Sequence, residues 1–171
     1  MDSEKLLILV ATMTGTALMA AEDIAEYCSE NNIKTNIIEI DNIETNVLTD
    51  AKGPVLICSS TYGQGDVPDS AQEFYNKLKD LSPDLNHIRY ALFGLGDMTY
   101  RDTFAYGGKK FSDLLDSLNA TKIGDPFYHD AKESHQVMFP FFIMKKTHQV
   151  MSWRSWSSLT PRFALKFPRD A

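Results

Sequence analysis

Short apolar runs alternate along the first 130 positions with longer stretches in which apolar residues recur at helical spacing. Runs typical of strands buried on both faces lie at Leu6–Val10, Val55–Cys58 and Tyr90–Phe93. The remaining predicted elements are strands at Lys34–Ile40 and Thr121–Tyr128, and helices from Thr16 to Asn31, from Pro68 to Leu81 and from Phe104 or Gly108 to Leu118. Strands that alternate with helices predict an α/β fold with a parallel sheet covered on both faces.

Three connections that follow predicted strands are rich in Gly, Thr, Tyr or Asp. They are a first loop at Thr12–Thr16, a second loop at Ser59–Asp66 and a third loop at Gly94–Phe104. In open parallel sheets, ligands bind beyond the carboxyl ends of the strands, near the topological switch point. We therefore expect the three loops to form one site.

The first loop begins the sequence TMTGTA, Thr12–Ala17, and has no basic residue close by in the chain. A phosphate there would be held by backbone N–H groups, threonine hydroxyls and the positive end of the following helix. Gly15 permits a close backbone approach and unusual dihedral angles. The loop lacks the Gly-Lys-Ser/Thr of a Walker A motif and the three glycines of a dinucleotide fingerprint. A threonine-capped turn with no ligand is the alternative interpretation.

The second and third loops each carry a tyrosine, Tyr62 and Tyr100, beside glycines. Two aromatic rings facing each other across a cleft suit a planar tricyclic ligand, although each tyrosine alone is also compatible with packing on the surface. Four aspartates are expected to form an acidic rim around the cleft: Asp66, Asp69, Asp97 and Asp102. Taken singly, an aspartate in such a loop is more often a turn or cap residue.

Composition and charge narrow the class of protein. The 171 residues fit one domain, residues 1–171, with a sizeable core. No apolar run reaches the roughly 18 residues of a membrane span, and we expect that Met1–Lys5 does not begin a secretion signal. Cys28 and Cys58 form neither a disulfide framework nor a metal site, which favours a cytoplasmic protein.

Charge is distributed unevenly along the chain. The net charge is −6, but residues 137–171 carry +5, which leaves −11 for residues 1–136. The acidic part should repel nucleic acid and attract a basic protein partner, or its charge serves solubility alone. His129, His135 and His148 lack the spacing of metal ligands and are expected at the surface or in loops.

Three ordered motifs make the chain resemble the flavodoxin family, and in particular the FMN domains of cytochrome P450 reductase and sulfite reductase. The motifs are TMTGTA at Thr12–Ala17, SSTYGQGDVPDSAQEFY at Ser59–Tyr75 and FGLGDMTY at Phe93–Tyr100. The resemblance spans about residues 5–125. It implies one non-covalent FMN in a flavodoxin-like, doubly wound, five-stranded parallel sheet of order 2-1-3-4-5.

The resemblance also implies which residues hold FMN. Thr12–Ala17 would bind the phosphate, Thr61, Tyr62 and Gly63 would line one side of the flavin ring, and Tyr100 would stack on it. The carbonyl of Gly63 would accept a hydrogen bond from the reduced flavin. The full set of expected FMN-binding residues is Thr12, Met13, Thr14, Gly15, Thr16, Ala17, Thr61, Tyr62, Gly63, Leu95, Gly96, Asp97, Met98, Thr99, Tyr100 and Phe104.

The implied function is a one-electron carrier that works transiently between a basic-surfaced reductase and redox acceptor proteins. We expect a monomer that binds neither nucleic acid nor membrane. The alternative is a flavodoxin-like NAD(P)H-dependent quinone or nitro reductase, which needs a nicotinamide site. A phosphorylated receiver domain shares the strand order, but the acidic cluster that it requires is missing after Leu6–Val10.

The chain departs from the family pattern near its end. Val137–Met144 is apolar and contains Pro140, Thr147–Leu159 is a candidate closing helix, and Arg162–Ala171 is a basic segment without an assignment. One residue is added between Tyr100 and Phe104.

Overall fold

The computed structural model describes residues 5–41 and 43–132. Its strands are β1 (Leu6–Ala11), β2 (Thr35–Glu39), β3 (Val55–Ser59), β4 (Arg89–Gly96), β5 (Thr121–Lys122) and β6 (Phe127–Asp130). Its helices are α1 (Thr16–Glu30), α2 (Asn46–Thr49), α3 (Asp69–Leu81) and α4 (Tyr106–Ser117), and a 3-10 turn at Arg101–Thr103 precedes α4. The predicted alternation of strands and helices is confirmed, and boundaries differ by a few residues.

The strands form one parallel sheet in the order β2-β1-β3-β4-β5, and β6 also pairs with β4. This order confirms the doubly wound fold implied by the resemblance to flavodoxins. The fifth strand predicted at Thr121–Tyr128 is two short strands. Tyr90 pairs with Lys122 and Phe93 with Phe127, so the edge strand has two more residues than β4 over this interval. Gly124, with φ of 62°, lies in the interruption.

Alternate residues of each central strand pack on opposite faces of the sheet, which explains the uninterrupted apolar runs. Leu9 and Ile57 are buried on the face that carries α3 and α4. Ile8 and Cys58 are buried on the face that carries α1. The buried side of α1 consists of Ile24 and four small residues, Ala17, Ala20, Ala21 and Cys28. The two apolar layers hold the carboxyl ends of the strands, and therefore the three loops, at fixed spacing.

Two details differ from expectation. His129 is 4% exposed, because it lies on β6 with its ring stacked near those of Phe93 and Phe127; the expected surface or loop position is wrong. Helix α4 begins at Tyr106, between the two predicted starts, because Ala105 adopts a left-handed conformation at φ 55°. Among the described helices, none is long and apolar enough to cross a membrane.

Several sequence predictions concern residues outside the described part of the chain. These are His135, His148, the apolar run Val137–Met144, the candidate closing helix Thr147–Leu159 and the basic segment Arg162–Ala171.

Candidate functional site

The three loops leave neighbouring strands at the same edge of the sheet. Ala11 at the end of β1 is in register with Ser59 of β3, which is in register with Gly94 of β4. The Ser60 N–H donates to the Ala11 carbonyl over 2.9 Å, which extends the pairing into the second loop. The parallel topology therefore brings the loops together, as the sequence predicted.

Two hydrogen bonds of Thr12 hold the first loop in place. Its side-chain oxygen accepts a hydrogen bond from the Gly15 N–H at 3.0 Å, and its carbonyl accepts one from the Ser70 hydroxyl at 2.8 Å. The residue is 9% exposed. Ser70 lies in the first turn of α3, so this contact joins the first loop to the helix that follows the second loop.

The first loop presents backbone donors at the start of α1. The Met19 N–H donates to the Gly15 carbonyl over 2.9 Å, so the N–H groups of the preceding helical residues have no acceptor within the helix. No acidic side chain lies in that first turn. Gly15 has φ of 84°, and a Cβ built there would meet nothing within 4 Å. The open space, free amides and positive helix end suit a phosphate.

On its β2 side, the first loop borders a cleft that is lined in part by acidic residues. A cleft of about 360 Å³ opens there, lined by Val10, Thr12, Met13, Gly15, Glu39, Ile40, Asp41, Asp69 and Ser70. These negative charges disfavour an anion in the cleft.

The second loop is closed by its own backbone. Tyr62 and Asp66 exchange N–H to carbonyl hydrogen bonds of 2.9 and 2.8 Å, and form an isolated antiparallel bridge. Gly63 lies between them with φ of 54° and open space around its missing Cβ. The closed loop leaves the Tyr62 side chain 46% exposed.

Thr61 connects the second loop to the third loop and to α4. Its hydroxyl donates to the Leu95 carbonyl at 2.9 Å and accepts from the Gly107 N–H at 3.2 Å. Gly107 has no room for a side chain, because a Cβ would collide with the Ser60 carbonyl oxygen. The start of α4 is thus pressed against the backbone of the second loop.

The third loop is organised around Asp97. One carboxylate oxygen accepts from the Thr99 N–H at 2.8 Å, the other lies 3.1 Å from the Lys132 amino group, and the carbonyl accepts from the Tyr100 N–H at 3.0 Å. Hydrogen bonds from Thr99, aided by Lys132, lower the pKa of Asp97 below its usual value. Asp97 therefore remains an anion near neutral pH.

The expected FMN-binding residues differ in how far they are exposed at the site. Ala17 and Leu95 are buried, at 0% and 2% exposed, and the Leu95 carbonyl already accepts a hydrogen bond from Thr61. A Cβ at Gly96 would collide with the Ala105 nitrogen, so this glycine serves the packing of the loop on the start of α4. Large apolar side chains at the three loops and the start of α4 remain exposed: Met13, Tyr62, Met98, Tyr100 and Tyr106. Such a concentration of exposed apolar surface is typical of a ligand or docking site.

Three lysines that sequence reasoning missed lie against the second and third loops. Lys110 forms an ion pair with Asp66, and Lys132 pairs with Asp97. Lys109 donates to the Phe104 carbonyl at 2.9 Å and lies over the Tyr106 ring. Two of the four aspartates in the expected acidic rim are therefore paired, and the rim is less negative than the sequence predicts. Lys110 and Lys132 lie far in sequence from Asp66 and Asp97, so these two pairs gave no local signal.

Comparison with known proteins identifies the class. A family profile described as flavodoxin matches residues 8–138. The chain belongs to the flavodoxin family, whose cofactor is FMN and whose chemistry is FMN-based electron transfer. The described site fits this cofactor, because it offers unpaired amides for a phosphate and exposed aromatic side chains for a ring.

Relatives include free-standing flavodoxins and parts of larger oxidoreductases. Flavodoxin YqcA of Escherichia coli is 33% identical over 74% of this chain and 84% of its own length. NADPH-dependent diflavin oxidoreductase 1 of Arabidopsis thaliana is 31% identical over 96% of this chain, and methionine synthase reductase of Bos taurus is 36% identical over 74%. The chain spans only 26% and 18% of the lengths of these two enzymes.

Solved structures agree with the fold. A mutant form of the flavodoxin from Pseudomonas aeruginosa superposes with a TM-score of 0.72 at 25% identity, covering 86% of this chain and 99% of that one. Oxidised flavodoxin 1 from Bacillus cereus superposes with a TM-score of 0.75 at 22% identity, covering 88% and 99%.

Proposed function

We propose that this chain carries single electrons from a basic-surfaced, NADPH-oxidising flavoprotein to redox acceptor proteins. The observation that carries the proposal is the convergence of three loops that leave apolar side chains exposed around the amino-terminal end of α1. Bound FMN would supply the one-electron chemistry. Because the side chains around the ring site are exposed, a partner protein could approach the flavin without a separate substrate pocket.

The chain's own residues would divide the work of holding FMN. The amides at the start of α1 and the hydroxyls of Thr14 and Thr16, 3.3 Å apart, would bind the phosphate. Tyr62 and Tyr100, on separate loops, would flank the ring. Thr12 and Thr61 would act by holding the loops in place, because their hydroxyls already bond to the protein. Gly63 would present its carbonyl at the ring edge.

The alternative function, an NAD(P)H-dependent quinone or nitro reductase, finds less support. Such an enzyme needs cationic groups free to bind a nicotinamide phosphate. Lys109, Lys110 and Lys132 lie close to the loops, but each already holds a carbonyl or carboxylate of the site. These three charges are therefore committed to loop structure, and the exposed Arg101 of the third loop is a single cation and not a basic cluster.

The choice of electron donor rests on the relatives and on charge. The relatives include an NADPH-dependent diflavin oxidoreductase and a sulfite reductase NADPH flavoprotein component. The alignment with the diflavin oxidoreductase covers 96% of the chain, so it extends into the residues after Val137. The charge of −11 on residues 1–136 favours a donor with a basic docking surface. We place this exchange in the cytoplasm.

The test uses the full chain loaded with FMN. With NADPH alone we expect no sustained NADPH oxidation; with an added NADPH-oxidising flavoprotein reductase, we expect reduction of the chain and then of cytochrome c, a basic one-electron acceptor. Tyr100→Ala should weaken FMN binding measured by quenching of flavin fluorescence. Sustained NADPH oxidation by the chain alone would support the reductase alternative, and failure to bind FMN would reject both functions.

A further inference from the structure

Lys132 reaches back from the turn after β6 to the third loop. Its amino group lies 3.1 Å from a carboxylate oxygen of Asp97 and donates to the Thr99 hydroxyl at 2.5 Å. A single cation therefore contacts two residues of the loop that separates β4 from Tyr100.

The backbone that carries Lys132 is itself fixed to the sheet. Asp130, the last residue of β6, is in register with Gly96 of β4. The Ala131 N–H donates to the Gly96 carbonyl at 2.8 Å, and the Lys132 N–H donates to the Asp130 carboxylate at 3.1 Å. Lys132 thus links the sheet edge to the third loop through its backbone and its amino group.

The loop depends on such polar contacts for its order. Met98 is 45% exposed and Tyr100 is 67% exposed, so burial of these side chains contributes little to fixing the backbone between them. Asp97 binds the Thr99 and Tyr100 N–H groups, and Lys132 holds Asp97 from the other side. Loss of the Lys132 amino group would free the Asp97 carboxylate on one side, while the pairing of β4 would be unchanged.

We propose that Lys132 is a positioning residue for the flavin: it holds Asp97 and Thr99 so that the Met98–Tyr100 backbone lies against the ring. This inference rests on the proposed function, since it takes the third loop as a wall of the ring site. Because Lys132 acts on the ring side of the site, its loss should weaken the binding of FMN and of riboflavin, which lacks the phosphate, by the same factor.

The experiment compares Lys132→Met, Lys132→Arg and the matched control Lys122→Met. Lys122 forms a 2.7 Å ion pair with Asp116 at the opposite, amino-terminal end of the sheet. In Lys132→Met, dissociation constants for FMN and for riboflavin should both rise roughly two- to fivefold, the range for a partly exposed ion pair. Lys132→Arg should restore both, and Lys122→Met should change neither.

A second measurement uses the chain without flavin. Amide hydrogen exchange at Thr99 and Tyr100 should accelerate in Lys132→Met, and remain at the wild-type rate in Lys122→Met. Unchanged exchange, a loss of affinity for FMN but not for riboflavin, or an equal loss in Lys122→Met would overturn the proposal. Failure of the wild-type chain to bind either flavin would instead reject the proposed function, because the exchange measurement needs no flavin.

Discussion

Single hydroxyl groups determine how the loops of this site are held. Thr12 and Thr61 each form two hydrogen bonds to the protein through side-chain or backbone oxygen, and each joins segments far apart in sequence. The motifs identified both threonines, but their pattern does not distinguish a group that touches a ligand from one that supports the loop. For Thr61, that distinction depends on a partner such as Leu95, 34 positions away.

At Gly15, the backbone conformation rather than lack of space requires glycine. Gly15→Ala should destabilise the chain by about 1 kcal/mol, because φ is 84° and side chains disfavour the left-handed region. It should also weaken FMN binding more than riboflavin binding, because the strain lies at the phosphate loop. Urea unfolding and flavin titration measure the two effects; equal losses for both flavins would contradict the assignment of this loop to the phosphate.

The two cysteines should be unreactive in the folded chain. Burial raises the pKa of Cys28 to about 11 and that of Cys58 further still, so both thiols remain protonated near neutral pH. Reaction with a disulfide reagent should be slow until urea unfolds the chain. Since the raised folded pKa favours the neutral thiol, this contribution to stability is complete below about pH 9 and is lost as pH rises towards 11. Rapid reaction of native protein at pH 7 would contradict the burial.

At the scale of elements, the start of α4 fixes the second loop through close backbone contact. Gly107→Ala should destabilise the chain by about 2 kcal/mol and weaken flavin binding, because the new Cβ would meet the Ser60 carbonyl oxygen. Gly108→Ala is the matched control: its Cβ would lie 3.1 Å from Gly94, and higher helix propensity should offset much of that cost. The denaturant midpoints of the two variants measure this difference in stability, and equal midpoints would contradict the close backbone contact at Gly107.

The sequence predicted which segments form strands and helices, but it did not predict the contacts that hold the three loops in place. Apolar runs such as Val55–Cys58 report burial on both faces, which is a local property of the chain. The break between β5 and β6 was missed although the sequence carries a local signal for it, since Gly124 and Pro126, residues typical of turns, lie within Thr121–Tyr128. His129 was misplaced because its burial depends on Phe93, which lies on a different strand.

For the whole molecule, charge should control encounter with the electron donor. Residues 1–136 carry −11, so the rate of reduction by a basic-surfaced flavoprotein should fall as sodium chloride rises from 50 to 500 mM, by about tenfold or more. Stopped-flow measurement at constant pH checks this, with dithionite, a small reductant, as the control for a salt effect on the flavin itself. A rate independent of salt would show that charge does not guide docking.

The divided edge of the sheet also bears on self-association. Beyond β4, the ladder consists of two residues, a four-residue interruption and four more residues. The interruption contains Pro126, which has no N–H to donate. A strand from a second molecule would find no long row of regularly spaced donors and acceptors along β5 and β6, so this side of the molecule is poorly suited to templating intermolecular strands or fibrils.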